Sequence, residues 1–330
     1  MKAMILAAGF GTRLFPLTID RTKPAIPFLG KPLVGYVAEY VARFGFKDVI
    51  VNLHHQPESV KKALGDGAEF GVNINYTLES PEILGTSGAL DNARHLLEDE
   101  TFLIINGKII TDIDIRAALF THRKTGALAT MVLLPNVNFE RFSIVETEGN
   151  LIKRFAGFPD KSEIRNPESE IPLMFTGIHI LEPRVFDYIP RGVYSDIIPT
   201  FYEAAIEKGE KIIAHIAQGK WFELSTIPRY LEISLKMLNG RAERRIIGRN
   251  PNISETAEVE DTIIWDDVSI GGNTRIFRSI IGDGVLIPAN AYYENVAIVR
   301  AEMVRSHAEI PQKALKGTFS GDNYIVPLNQ

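Results

Sequence analysis

The first half of the chain alternates short apolar runs with amphipathic ones. Lys2 to Ala7 reads as a buried strand and Asp48 to Leu53 as another apolar strand, and Val72 to Leu78 and Phe102 to Asn106 read as strands as well. Between them, Pro32 to Phe44 sets Leu33, Val37, Tyr40, Val41 and Phe44 on one face at helical spacing, with Pro32 early and Gly45 as the stop. Pro57 to Leu64 and Gly85 to Leu97 also read as helices. Strands separated by helices predict a mostly parallel, Rossmann-like α/β sheet covered on both faces. Ligands of such sheets sit beyond the carboxyl ends of the strands. The Gly9 loop and Asn106-Gly107-Lys108 both follow such ends, so they are expected to face one cleft.

From Ala127 the pattern changes. Ala127 to Leu134 is strand-like, and Ser143 to Glu146 and Leu151 to Phe155 flank Glu148-Gly149-Asn150, which reads as a hairpin. Asp160 to Pro172 is charged and polar and reads as a mobile loop. Ser195 to Glu207 and Tyr230 to Leu238 look helical. Past Asn250 a third regime begins. Ile253 and Val259 are six apart, as are Ile264, Ile270 and Ile276, and then Ile281 and Ile287. A six-residue aliphatic period fits a left-handed parallel β-helix, each short strand forming one side of a triangular coil. An irregular all-β tail is the alternative. The expected domains are residues 1–240, residues 250–310 and a tail, 311–330.

The most informative chemistry stands at the end of the first strand. Leu6-Ala7-Ala8-Gly9-Phe10-Gly11-Thr12-Arg13-Leu14 runs straight into a glycine-rich basic loop, with Lys23 beyond it. The glycines let backbone N–H groups approach phosphate oxygens. Arg13 and Lys23 add positive charge, with only Asp20 nearby to offset it. A Rossmann dinucleotide fingerprint is excluded because Leu14 stands where its third glycine belongs, and a Walker A loop because this one ends Thr12-Arg13-Leu14.

Composition narrows the setting. A length of 330 residues suggests about two domains. The net charge of −5 argues against general nucleic-acid binding while leaving room for one basic pocket. The absence of cysteine excludes disulfides and Cys-ligated zinc, and is compatible with a cytoplasmic location. The N-terminal apolar run ends in glycines and reads as a core strand rather than a signal peptide. No apolar stretch is long enough to span a membrane.

The whole opening run, continued by Pro16-Leu17-Thr18, Lys23-Pro24 and Gly30-Lys31-Pro32-Leu33, resembles the sugar-1-phosphate nucleotidylyltransferases. Mannose-1-phosphate guanylyltransferases and glucose-1-phosphate thymidylyltransferases belong to that family. The likeness continues through Val51-Asn52-Leu53-His54-His55, Glu82-x-Leu84-Gly85-Thr86-Ser87-Gly88-Ala89-Leu90, Phe175-Thr176-Gly177-Ile178-His179 and Trp221-Phe222-Glu223-Leu224-Ser225-Thr226. Adjacent residues of a strand point to opposite faces, which favours a structural role for His54 and His55 over a metal pair. The resemblance implies a nucleotide-diphospho-sugar transferase fold with a C-terminal left-handed β-helix that mediates homo-oligomerisation. It assigns Leu6, Ala7, Ala8, Gly9, Gly11, Thr12, Arg13, Glu82, Gly85 and Thr86 to the nucleotide, and Asn106, Ser143, Thr176 and Gly177 to the sugar. Arg13 and Lys23 would steady the phosphates while sugar phosphate attacks the α-phosphorus.

Departures cluster at the catalytic positions. Active relatives hold Mg²⁺ with an aspartate after the Ile105 strand and with the aspartate of a Trp-x-Asp motif. Here those positions are Lys108 and Glu223. A Phe-x-Glu-Lys-Pro element has become Phe155-Ala156-Gly157-Phe158-Pro159, and a Tyr-Gly pair has become Phe142-Ser143. Two carboxylates with Mg²⁺ sum to zero charge, and so do Lys108 and Glu223. By the resemblance, Lys108 would stand near the metal position, ready to take a phosphate. Asp112 and Asp114 are open to a metal role but read better as the start of a helix reaching Arg123, where acids suit the dipole. The Mg²⁺ expected from the family therefore meets an altered ligand set. Two functions follow: a transferase making a nucleotide-sugar and pyrophosphate from a nucleoside triphosphate and a sugar 1-phosphate, with no nucleic-acid or membrane partner, or a catalytically silent nucleotide-sugar-binding regulator or sensor.

Overall fold

A computed structural model describes residues 1–159, 171–238, 244–307 and 309–329. Most of the Asp160–Pro172 segment, read above as a mobile loop, lies outside the described residues. The chain divides into two compact units: residues 1–9, 35–57 and 64–221, and residues 10–34, 58–63 and 222–330.

The first unit is built on a nine-stranded sheet. Its strands are β1 (Ala3–Leu6), β2 (Asp48–Leu53), β3 (Asn73–Leu78), β4 (Phe102–Asn106), β5 (Ala129–Pro135), β6 (Val145–Glu148), β7 (Leu151–Phe155), β8 (Leu173–Leu181) and β9 (Ile212–Ile216). The spatial order is β3-β2-β1-β4-β8-β5-β9-β7-β6. β1 pairs in parallel with both β2 and β4, which explains its uniformly apolar sequence: a central strand has both faces in the core. β8 is antiparallel to β4 and β5, and β6–β7 is the antiparallel hairpin the sequence predicts. One face packs Met4, Ile104 and Met131 against Ala89, Leu90, Phe201 and Tyr202.

Two helical expectations need adjustment. The run from Gly85 is helical over Gly85–Asn92, breaks at Ala93 (φ −97°, ψ 5°) and resumes at Arg94–Leu97. Arg94 there bonds Asp91 and the Ile189 carbonyl. The run from Ser195 opens as a wide π-helical segment, Ile198–Glu203, before one α-turn at Ala204–Glu207. Asp114 behaves as expected: its carboxylate caps the helix Ile115–Thr125 by accepting from Arg116 N–H. Asp112 Oδ1 accepts from Lys220 N–H at 2.6 Å.

The second unit contains the helix Ile227–Met237, capped by Thr226, and a left-handed parallel β-helix. Three parallel ladders define its coils: Arg245 onto Thr262, Asn252 onto Ser269, and Glu258 onto Arg275. Each step is 17 residues, so a coil is two six-residue sides and one five-residue side, not three sixes. Val259, Ile264, Ile270, Ile276, Ile281 and Ile287 fill its interior. The short corner is closed by Asp261, Arg278 and Asn295, all with positive φ and spaced one coil apart. Asn, Asp and Gly tolerate that left-handed conformation best, and Asn250, Asp267 and Gly284 occupy a second corner in the same way.

Candidate active site

The strand order itself locates the site. From β1 the chain builds outward through β2 and β3, then crosses back to lay β4 on the other side of β1. The connections that leave the carboxyl ends of β1 and β4 therefore run to opposite sides, and the crevice they open is where open α/β sheets bind ligands. Leu6 is paired with Asn106 there, and Gly107 N–H donates to the Leu6 carbonyl at 2.9 Å. A Cβ at Gly107 would lie 2.9 Å from that same oxygen, so only glycine lets the two strand ends meet. A cavity of about 390 Å³ opens at this point, lined in part by Leu6, Asn106, Thr86, Phe175, His179 and Asp196. It brings Leu6 and Thr86 of the expected nucleotide set together with Asn106 of the expected sugar set.

The backbone beyond β1 is fixed by a relay of buried polar groups that the sequence did not single out. Ala7 N–H donates to Asn52 Oδ1 at 2.8 Å, Asn52 Nδ2 donates to Glu79 Oε1 at 2.6 Å, and Leu84 N–H donates to Glu79 Oε2 at 2.6 Å. Asn52 and Glu79 are 3 % and 1 % exposed, so each bond replaces hydration that burial has removed. The relay ties the strand end to the Leu84-Gly85-Thr86 loop. His54 Nδ1 donates to the Glu79 carbonyl at 2.9 Å, a structural role as expected.

Gly85 has φ +73°, and a Cβ on it would come within 2.6 Å of the Ser195 carbonyl. That carbonyl accepts from Ser87 and Gly88 N–H, while Thr86 Oγ1 bonds Asp196 Oδ1 and accepts from Ile197 N–H at 2.7 Å. The Gly85 loop is thus locked to the Ser195–Ile197 segment. Glu82 is exposed on the preceding turn.

The expected sugar residues divide by strand face. Asn106 packs on Gly177, whose φ is +80° and where any Cβ would overlap the Asn106 amide. Thr176 points the other way: its hydroxyl donates to the Val132 carbonyl at 2.7 Å and its own carbonyl accepts from Trp221 Nε1. Phe175 and His179, two residues to either side of Gly177, line the cavity. Ser143 is exposed, next to Phe142, which meets Trp221 edge-on at 5.2 Å.

In the second unit, Gly11 (φ +66°) precedes a single 3₁₀ turn, Thr12–Leu14. A Cβ on Gly11 would lie 3.2 Å from Thr18 Cγ2 and 3.3 Å from the Lys23 backbone nitrogen, so the loop folds tightly around this glycine and sets Lys23 beside it. Thr18 Oγ1 donates to the Gly11 carbonyl. Arg13 is exposed and Lys23 half-buried. The loop is braced from behind: the Arg21 guanidinium pairs with Asp20 and Asp283 and lies 5.0 Å over the Trp265 ring. Tyr230 Oη donates to the Pro27 carbonyl and accepts from Trp265 Nε1.

Lys108 is half-buried in the turn after β4. Glu223 is buried ahead of the Thr226 cap, and its carbonyl accepts from Arg229 Nε at 2.8 Å. As a donor set these residues do not fit the two-carboxylate Mg²⁺ site of the family. A lysine ammonium has three donors and no lone pair for a cation. Among the described residues, no group of three or more His, Asp or Glu could hold a metal ion. No described helix is long and apolar enough to cross a membrane.

The sheet order, the crevice at its switch point and the glycine loop define an α/β fold of the nucleotidyl-transfer class. The chain belongs to the nucleotidyl transferase family, whose model matches residues 2–240; residues 235–293 match the GlmU-like C-terminal hexapeptide model. It is 30 % identical to a UTP–glucose-1-phosphate uridylyltransferase of Synechocystis, over 98 % of this chain and 89 % of that one. It is 27 % identical to a mannose-1-phosphate guanylyltransferase of Mycobacterium tuberculosis, over 89 % of this chain and 83 % of that one. A solved structure from Bacillus anthracis, described as a glucose-1-phosphate thymidylyltransferase, shares the fold with a TM-score of 0.60 and 24 % identity, covering 72 % of this chain and 94 % of its own.

Proposed function

We propose that this chain joins a nucleoside triphosphate to a sugar 1-phosphate, releasing pyrophosphate and a nucleotide-sugar. The observation that carries the reading is the relay Ala7–Asn52–Glu79–Leu84, which fixes the strand-end backbone and the Gly85 loop in one arrangement at the sheet's switch point. The relatives named above carry sugar-1-phosphate nucleotidyltransferase names, which favours turnover over a silent sensor.

The sugar phosphate oxygen attacks the α-phosphorus in line, and pyrophosphate leaves from the opposite side. Ala8, Gly9, Gly11 and Thr12 supply close backbone approach to the triphosphate. Arg13 and Lys23 stabilise charge on the departing phosphates. Gly85 and Thr86 flank the base, and Asn106 and Gly177 hold the sugar. Nucleotidyl transferases are typically metal-dependent, but Lys108 cannot be a cation ligand. In this chain it meets phosphate directly, and any divalent ion arrives as part of the nucleotide substrate. Residues 1–240 carry this chemistry, and the β-helix mediates homo-oligomerisation.

The test incubates purified chain with each of the four ribonucleotides and dTTP against a panel of sugar 1-phosphates, GTP with mannose 1-phosphate among them. Pyrophosphate release from at least one pair is expected. No release from any pair, with or without Mg²⁺, leaves the silent-binder reading in its place.

A further inference from the structure

The cavity at the switch point contains one buried polar side chain that the mechanism above does not use. His179 is 3 % exposed and lines the cavity. Its Nδ1 lies 2.5 Å from Tyr202 Oη. Tyr202 is fully buried, and its hydroxyl has no second hydrogen-bond partner among the described residues. If Nδ1 were the donor, the phenol proton would be enclosed with nothing to accept it, which buried donors rarely tolerate. The phenol is therefore the donor and Nδ1 the acceptor. A neutral imidazole that accepts through Nδ1 carries its proton on Nε2. Burial keeps both groups neutral, lowering the His179 pKa to about 3 and raising that of Tyr202. The ring has no other partner among the described residues, and Nε2 is not among the fully enclosed atoms that lack one. The Nε2 proton is thus available to a molecule in the cavity.

The surroundings restrict what that molecule presents. Phe175 meets the imidazole edge-on at 5.2 Å, and Leu6, Ile104, Ile198 and Pro199 complete an apolar wall. The Asp196 carboxylate is engaged by Thr86 and Tyr194. A sugar hydroxyl here could accept from His179, but its own proton would have to turn from that wall to Asn106 or Asp196 on the polar side of the cavity. An acyl carbonyl brings an acceptor without a donor, and its methyl group suits the wall.

We propose that His179 is a specificity residue for N-acylated sugar 1-phosphates, its Nε2–H donating to the acyl carbonyl while Phe175 and Ile104 cover the acyl methyl. The proposal rests on the transferase reading and narrows its sugar.

The test measures kcat/KM for matched pairs of sugar 1-phosphates, glucose against N-acetylglucosamine and mannose against N-acetylmannosamine, each with the four ribonucleotides and dTTP. The N-acetyl member is expected to be favoured by about 10-fold or more, as a hydrogen bond that only one substrate can satisfy requires. In His179→Phe that ratio should fall towards one, chiefly through KM. In Tyr202→Phe, which frees the tautomer, it should fall part of the way. Pyrophosphate release that favours the unacylated sugars overturns this inference and leaves the transferase standing. A His179 effect that follows the base instead of the acyl group overturns it as well. Release from no pair at all overturns both. The wild-type ratio decides the matter even where a variant fails to fold.

Discussion

Replacing Asn52 by alanine probes the site's framework without touching a group assigned to substrate. Asn52 satisfies Ala7 N–H at 2.8 Å and one Glu79 oxygen at 2.6 Å, both away from water. Removing the amide leaves a buried N–H without its acceptor, at a cost of about 1–3 kcal/mol, and takes one donor from a buried carboxylate, at about 1.5–3 kcal/mol. Partial hydration of the new space offsets some of this, so a net loss of about 3 kcal/mol is expected. Because Ala7 begins the nucleotide loop, KM for the nucleoside triphosphate should rise about 10-fold or more, with KM for the sugar phosphate moving less. Asn52→Asp should be worse than Asn52→Ala near neutral pH, since it sets a second carboxylate against Glu79, and should recover as the pair takes up a proton in acid. The assays are chemical denaturation and steady-state pyrophosphate release. An Asn52→Ala protein within about 0.5 kcal/mol of wild type and with unchanged nucleotide KM would refute the relay as the element that fixes the loop.

Other outcomes follow from the same geometry. Gly177→Ala combines φ +80° with a Cβ that overlaps Asn106, so it should cost at least about 2 kcal/mol and abolish turnover, checked by thermal melting and pyrophosphate release. Trp265→Ala removes the ring beneath Arg21 and should loosen the Gly11 loop, raising nucleotide KM several-fold although Trp265 lies on the β-helix. His179 is held neutral with its pKa lowered to about 3, so its contribution is present above about pH 6.5 and is lost as pH falls towards 3. It should add a slope of up to about 1.4 kcal/mol per pH unit across that window, and His179→Phe should flatten the profile in pH-dependent denaturation. Lys108→Asp restores a carboxylate at the turn after Phe102–Asn106 and should raise Mg²⁺ affinity in calorimetry; an unchanged titration would argue against a metal-facing position.

The sequence pattern carried most of the architecture for physical reasons. Uninterrupted apolar runs such as Ala3–Leu6 belong to strands buried on both faces, and their alternation with amphipathic runs leaves few topologies. The six-residue aliphatic period foretold the β-helix, but not its 17-residue coil. The five-residue corner depends on left-handed backbone at Asp261, Arg278 and Asn295, and arginine is not a residue that announces it. The break at Ala93 and the wide turns at Ile198–Glu203 were equally hidden, because tertiary bonds from Arg94 and the Ser195–Ile197 segment decide them. At the site, the glycines were legible because close backbone approach demands them. Asn52, Glu79 and His179 were not, because each gains its meaning from a partner distant in sequence. The ladder is irregular between Phe175 and His179, where Gly177 has a positive φ, so the faces that Phe175, Thr176 and His179 take were not legible from strand alternation.

The most direct test of the account is pyrophosphate release by the purified chain over the full grid of nucleoside triphosphates and sugar 1-phosphates. Release from at least one pair is expected, with an N-acylated sugar preferred, the nucleotide KM raised in Asn52→Ala and the preference reduced in His179→Phe. Nucleotide binding without release from any pair would contradict it.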